Sequence, residues 1–335
     1  MKRFIVILLS MFFLAHTAYA QQYHISVLQV SNIQVFQNAY EGFMENLKAH
    51  GIIEGKNLII SRHIIDADLD AGLWQKMGIL LKIKNTASKI IGEDPNLVLT
   101  IGTSATKYSR DKVTKAGIPL VFTCVANPVA AGCTSMTQAG QGCTGATIYI
   151  DPAYVINIIH RAFPSIKTMG IIHSDDDNGV AFADEAIKKQ TEHGIRILTR
   201  QVSKSDKIGP AAMELVGEGI DMFGIPPDTY YALRGNQPSK DLTKICRDKK
   251  TPGVAFMSSG APGCILYIGP SMRTNGSLSA GHAIRILKDG IKPEEIPIAI
   301  PKDPTILCDQ ESFKIMGIDI PIDILKLAKP FSESL

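Results

Sequence analysis

Short apolar runs alternate with segments of helical period along this chain, and the whole alternation occurs twice in succession. In the first copy, residues 25–30, 58–64, 97–101 and 120–125 read as buried strands. Between them come Phe36, Tyr40, Phe43 and Leu47 at helical spacing with Gly51 as a stop, then Leu73, Met77, Leu80 and Leu81, then a helix over 103–114. The second copy has strands at 169–173, 195–200, 222–225 and 254–257. Its helices carry Ala183, Ala186, Ile187 and Gln190 before Gly194, then 211–216, then 242–245. Strands that are apolar on both faces and separated by helices form parallel sheets covered on both sides. Two copies therefore predict two doubly wound α/β lobes. A strand at 265–268, a helix around 278–287 and a Pro-rich stretch at 293–304 are left over. A C-terminal segment that revisits the first lobe accounts for them. The expected division is 21–146 plus about 271–304 for one lobe, and 147–270 plus about 305–335 for the other.

The length, 335 residues, is enough for two cores, and 45% hydrophobic with 20% charged residues is globular composition. The formal charge is +3, and Lys2 with Arg3 supplies most of it. The near-neutral remainder has no bulk field for nucleic acid. Those two residues open a leader-like segment. Phe4 to Leu14 is apolar but short for a bilayer span, and Ala18-Tyr19-Ala20 offers a small-x-small cleavage pattern. The expectation is a signal peptide over 1–20 and a soluble, periplasmic mature chain from Gln21. An oxidising compartment permits disulfides, and among six cysteines Cys133 and Cys143 flank a short Gly- and Thr-containing loop, the best local pair.

Ligands of doubly wound sheets bind beyond the carboxyl ends of the strands. Those ends carry Ser31 and Asn32; Gly102, Thr103 and Ser104; Asn127 and Pro128; Ser174 to Asn178; Asp228 and Thr229; and Ser258 with Ser259. Small polar residues there suit hydrogen bonding to a small molecule, although the same types also serve as loop and cap residues. Gly102-Thr103-Ser104-Ala105 is not a nucleophile elbow, because Thr106 stands where the second glycine belongs. It suits a helix start offering N–H groups to a carboxylate. Neither nucleotide-binding glycine motif is present. Asp175-Asp176-Asp177-Asn178-Gly179 has the wrong spacing for a calcium loop, with Ala186 at position twelve. His160, His173 and His193 are scattered. No catalytic set, metal site or cofactor site is expected.

Several stretches together resemble a known family. Tyr40-Glu41-Gly42-Phe43, the run Gly51 to Leu58, Pro95-Asn96-Leu97-Val98-Leu99 leading into Gly102-Thr103-Ser104-Ala105, Ile118 to Thr123 followed by Asn127-Pro128-Val129, and Gly317-Ile318-Asp319-Ile320-Pro321 occur in order. In these the chain resembles the ABC-transporter substrate-binding proteins that include tryptophan- and tyrosine-type receptors. The resemblance implies a type I periplasmic-binding-protein fold, with two lobes joined by a hinge and about three crossings. It also implies a monomeric, non-enzymatic receptor that captures an amino-acid-like or carboxylate ligand for an inner-membrane ABC permease. By position, Thr103 and Ser104 would hold the carboxylate, and Asn127 replaces the family's usual Asp. Ser174 to Asn178, Asp228 and Thr229 would add polar contacts, with Thr123 and Cys124 beneath them. A receptor reporting to a membrane sensor and an exported hydrolase using Ser104, Ser258 or Ser259 are the alternatives.

One departure bears on the ligand. Where the family shows Gly-x-Asp-Tyr-Tyr, this chain reads Gly269-Pro270-Ser271-Met272-Arg273. The resemblance then implies weak binding of ordinary aromatic amino acids. Arg273 either favours an anionic ligand or points to solvent.

Overall fold

The computed structural model describes residues 22–65, 73–258, 263–301 and 304–331. The expected signal peptide and Ser259 lie outside them. In the first lobe, β1 (Tyr23–Val30), α1 (Gln34–Ala49), β2 (Leu58–Ile65), α2 (Leu73–Gly92), β3 (Leu97–Ile101), α3 (Thr103–Lys115), β4 (Leu120–Val125) and β5 (Cys143–Thr147) follow one another. They build an all-parallel sheet of order β2-β1-β3-β4-β5. Every residue of β3 and β4 is buried, as strands covered by helices on both faces require.

The second sheet takes in α4 (Pro152–Ala162), β6 (Thr168–His173), α5 (Asp177–Lys188), α6 (Gln190–His193), β7 (Arg196–Gln201), α7 (Gly209–Gly217), β8 (Met222–Ile225), α8 (Leu233–Lys249), β9 (Gly253–Ala255) and β10 (Leu266–Gly269). Its order is β12-β11-β10-β9-β8-β6-β7. Only β11 (Thr305–Cys308) runs against its neighbour β10; β12 (Lys329–Pro330) closes the edge after α10 (Gln310–Met316) and α11 (Ile322–Leu327). This is the doubly wound, two-lobed α/β architecture that the repeated alternation predicts.

The chain between β10 and β11 returns to the first sheet. Helix α9 (Met272–Asp289) lies along α1 and over β4 and β5. The two helices touch backbone to backbone: a Cβ on Gly276 would stand 1.8 Å from the Ala39 carbonyl oxygen, and one on Gly42 would stand 2.0 Å from that of Arg273. Residues after α9 then join the β5 edge, where Thr147 N–H donates to Ala299 O at 3.0 Å and Ala299 N–H to Gly145 O at 2.9 Å. The chain thus passes between the two sheets at 148–151 and 270–271, and after Ala299 at the β5 edge it is again in the second sheet at Thr305–Cys308.

The expected Cys133–Cys143 crosslink is not present; all six cysteines are buried free thiols. Both residues pack into one apolar cluster with Val113 and Phe122, serving as small hydrophobes, and burial pushes both thiols up.

His282 on α9 reaches Thr144 Oγ1 through Nδ1 at 3.2 Å. Burial first, then the Arg285 charge, lowers its pKa to about 4. The folded chain therefore binds this proton less readily than the unfolded chain, whose histidine titrates near ~6.5. Its contribution is complete above that value and is lost as pH falls toward about 4. His282→Asn is expected to reduce the fall in melting temperature between pH 7.5 and 4.5, by an amount worth at most about 3 kcal/mol. An equal fall in both proteins would remove His282 from the acid response.

Candidate functional site

Strand order reverses between β1 and β3 in the first sheet and between β6 and β8 in the second. Both reversals open toward the same crease, which holds a cavity of about 410 Å³. On the first-lobe wall, Ser31 directly follows β1, and Gly102, Thr103 and Ser104 turn β3 into α3. Gly102 sits at φ +92, and a Cβ there would meet the Phe36 ring at 2.8 Å, so only glycine lets the helix start this close to Phe36. The first N–H groups of α3 lack partners within the helix, leaving a partial positive charge at this wall. Phe36, Met77, Leu80 and Tyr108 supply its apolar surface.

The second-lobe wall is polar and internally bonded. Asp176 caps α5 by accepting the Asn178 N–H at 3.0 Å, and its other oxygen accepts from Lys204 Nζ at 3.0 Å and Thr229 Oγ1 at 2.9 Å. Burial alone would raise the Asp176 pKa, but the Lys204 charge and these hydrogen bonds outweigh it and hold the carboxyl below its ordinary value. Behind it, buried Asp228 accepts from Ser174 N–H at 2.6 Å, Ser174 Oγ at 2.9 Å and Tyr230 N–H at 2.8 Å. Burial and the neighbouring Asp176 charge nonetheless push Asp228 up to about 6. Two contacts bridge the walls: Thr103 Oγ1 donates to Asn178 Oδ1 at 2.7 Å, and Lys107 Nζ to Asp177 Oδ2 at 2.9 Å.

Of the residues expected from strand ends, Ser31, Thr103, Ser104, Asn178 and Thr229 line the large cavity. Asp228 lines a smaller void of about 40 Å³ behind Phe36, and Asn127 one of about 20 Å³ beside Asn178. Ser174 is fully buried against Asp228. The structure does not bring the others to the cavity. Asn32 is exposed, and Ser258 Oγ donates to the Pro270 carbonyl at 2.9 Å. Ser271 caps α9 by accepting the Thr274 N–H at 3.3 Å. Arg273 is half exposed, at the surface of the first lobe. From the first turn of α9 it pairs with Glu41 and Glu45, one turn apart on α1.

Strand-end reasoning on the sequence, without the end of β7, does not point to Lys204, Phe36 or Leu80 as cavity residues, nor to Asp176 as a charged anchor. Lys204 follows the carboxyl end of β7, so the strand-end rule applied to that strand would have found it.

A family profile for ABC transporter substrate binding proteins matches residues 24–331. No curated protein matches the chain by sequence. Among solved structures, a conserved domain protein from Vibrio cholerae O1 biovar El Tor is 21% identical with a TM-score of 0.78, over 93% of this chain and 100% of that one. An ABC domain from Streptococcus pneumoniae, solved in complex with L-Trp, is 17% identical with a TM-score of 0.78, over 92% and 99%. A substrate-binding protein with adhesive properties from Clostridium difficile, in its ligand-free, open form, is 20% identical with a TM-score of 0.70, over 92% and 99%. The fold is that of the type I periplasmic binding proteins.

Proposed function

The chain belongs to the ABC transporter substrate binding protein family, and we propose that it is an exported receptor which captures a small amino-acid-like or carboxylate-bearing molecule between its lobes for an inner-membrane ABC permease. The observation that carries this reading is the cavity of about 410 Å³ shared by both lobes, with the α3 N-terminus on one wall and the Asp176–Lys204 pair on the other. Its volume lies in the range of small-molecule sites. A ligand carboxylate fits the N–H groups at Thr103 and Ser104, and an apolar portion fits against Phe36, Leu80 and Tyr108. The pneumococcal protein's L-Trp supports a ligand of amino-acid size. On this reading the chain loses residues 1–20, works in the periplasm as a monomer, and binds without turnover. The Ser258 hydroxyl donates to the Pro270 backbone carbonyl.

Closure around the ligand gives the bridging pairs Thr103–Asn178 and Lys107–Asp177 their role. The open, ligand-free form of the Clostridium difficile protein supports such motion. On the resemblance set out above, Ser271 and Met272 stand where relatives carry an acid and an aromatic ring, and the Asp228 oxygens are already engaged by Ser174 and Tyr230. Ordinary aromatic amino acids are therefore expected to bind weakly.

Mass spectrometry of the small molecule released on denaturing the purified protein identifies the ligand. Calorimetry with tryptophan, phenylalanine and tyrosine should give affinities weaker than micromolar. The released molecule, at about 100 times its Kd, should stabilise the fold by about 2.7 kcal/mol and reduce the radius measured by X-ray scattering. Submicromolar binding of any of the three amino acids would overturn the specificity. An unchanged radius at saturation, starting from an open form, would overturn closure.

A further inference from the structure

Hydrogen-bond donors and acids are unequally free in the cavity between the lobes. On the first lobe, Val30, Phe36, Leu80, Ile83, Ile101 and Tyr108 line it with apolar surface, and Ser31 with the start of α3 supplies the polar part. Bonding within α3 begins only with the Thr106 N–H, which donates to Gly102 O at 3.2 Å. Gly102 has no side chain to cap the helix, so the N–H groups of Thr103, Ser104 and Ala105 are left open.

Asn178 meets this helix start from the second lobe. It is 8% exposed and borders the large cavity and both small voids beside it. Its Oδ1 accepts from Thr103 Oγ1 at 2.7 Å, which orients the amide and leaves Nδ2, on the same carbon, beside the start of α3. Nδ2 has no hydrogen-bond partner among the described residues, yet it is not sealed off: the side-chain atoms there that are both sealed and unpartnered are Arg62 Nε and His160 Nδ1. A buried amide donor without a partner is costly, and a ligand acceptor removes that cost. The acids of the cavity, in contrast, are committed. Asp176 holds Lys204 at 3.0 Å, Asp177 holds Lys107 at 2.9 Å, and Asp175 is engaged as well. Lys204 itself lines the cavity as a cation.

We propose that the ligand is a carboxylic acid with an apolar body and no ammonium group, its carboxylate held between the α3 N-terminus and Asn178 Nδ2. The proposal rests on the reading of this chain as a small-molecule receptor and narrows its ligand. A carboxylate accepts from donors on both lobes at once, so its binding favours the closed form. An ammonium in the same cavity meets Lys204 and finds no uncommitted counter-ion among the described lining residues. Burying a charge uncompensated weakens binding by a factor of hundreds. The apolar body packs on Phe36, Leu80 and Tyr108, where the area taken from water drives binding.

Matched ligand pairs test this on the mature protein without any substitution: 3-phenylpropionate against phenylalanine, and indole-3-propionate against tryptophan, each pair differing only in the ammonium. Calorimetry should give at least one acid a Kd below about 100 μM, with its amino acid at least roughly 100-fold weaker. Asn178→Asp keeps the side-chain shape and the acceptor for Thr103 but turns the Nδ2 donor into a carboxylate oxygen, and should weaken the acid at least about 10-fold. Asp175→Asn should not weaken it. Equal or tighter binding of the matched amino acid would overturn the inference and leave the receptor reading standing; loss of that binding in Asp175→Asn would identify the counter-ion. Full-strength binding of the acid to Asn178→Asp would overturn the placement of the carboxylate. Failure of both acids to bind at millimolar concentration would overturn the inference too, while the receptor reading is judged separately by the molecule released on denaturation.

Discussion

Asn275→Ala is expected to destabilise the folded chain by about 3–5 kcal/mol, because one buried side chain satisfies three separate groups. Its Oδ1 accepts from Thr123 Oγ1 and from the Cys124 N–H, both at 2.8 Å, and its Nδ2 donates to the Thr147 carbonyl at 2.8 Å. These are the carboxyl ends of β4 and β5, where the pairing register shifts between Phe122 and Val125 and the ordinary ladder cannot serve them. With alanine, two donors and a carbonyl stay buried without partners, and Cys124 loses the bond that holds its left-handed backbone. For a chain of this size the loss corresponds to a fall in melting temperature of roughly 10 °C. Ser279→Ala, one turn along α9, removes one hydroxyl, shared between the Phe122 carbonyl at 2.9 Å and the Asn275 carbonyl at 3.2 Å, and should cost about 1 kcal/mol. Denaturant unfolding of both variants decides the matter. An Asn275→Ala loss no larger than that of Ser279→Ala would show that water replaces the amide.

Lys204→Met is expected to cost about 3–5 kcal/mol at neutral pH, the usual consequence of leaving one member of a buried ion pair alone. Its effect should also reverse the local pH dependence. In the native chain Asp176 is held below its ordinary value, so its contribution is present above the unfolded carboxylate pKa and is lost as pH falls through the lower folded value. Without Lys204, burial dominates and raises the Asp176 pKa. The variant then loses stability as pH rises, because the unfolded state ionises first. Asp228 moves in the same direction, since Lys204 also lowers its pKa. The gap between the two proteins should therefore be largest near pH 7.5 and narrow toward pH 4.5, measured by urea unfolding at both values. A gap independent of pH would mean that Asp176 finds another cation or reaches water.

Much of the fold is legible in one dimension because burial on both faces leaves a continuous apolar run. Strands 97–101 and 120–125 read directly from such runs and match β3 and β4 residue for residue. β5, Cys143-Thr144-Gly145-Ala146-Thr147, is equally buried, yet its small and hydroxyl-bearing residues give no apolar signal. A Cβ at Gly145 would stand 2.3 Å from the Phe122 carbonyl oxygen, so tight packing, and not hydrophobicity, selects that sequence. Helix α8 was underestimated for another reason. Arg234, Gly235 and Asn236 are left-handed and Pro238 follows, which interrupts the helical signal although the chain resumes its turn.

The sequence by itself determined two α/β lobes with parallel sheets, the loops at which a ligand site could form, and the family. The lobes and the loops follow from local composition and spacing, since alternating buried strands and helices admit few other folds and small polar residues collect where strands end; the family follows from the ordered motifs that resemble it. Only the tertiary structure decided how those loops are used. Arg273 is committed to Glu41 and Glu45 on α1, Ser258 to a backbone carbonyl, and Ser271 to a helix cap, while Lys204 and Phe36 enter the cavity. The physical reason is direction: a residue's place at a strand end is set by its neighbours in sequence, but where its side chain points, and which charge or carbonyl it meets first, is set by helices that pack from far along the chain.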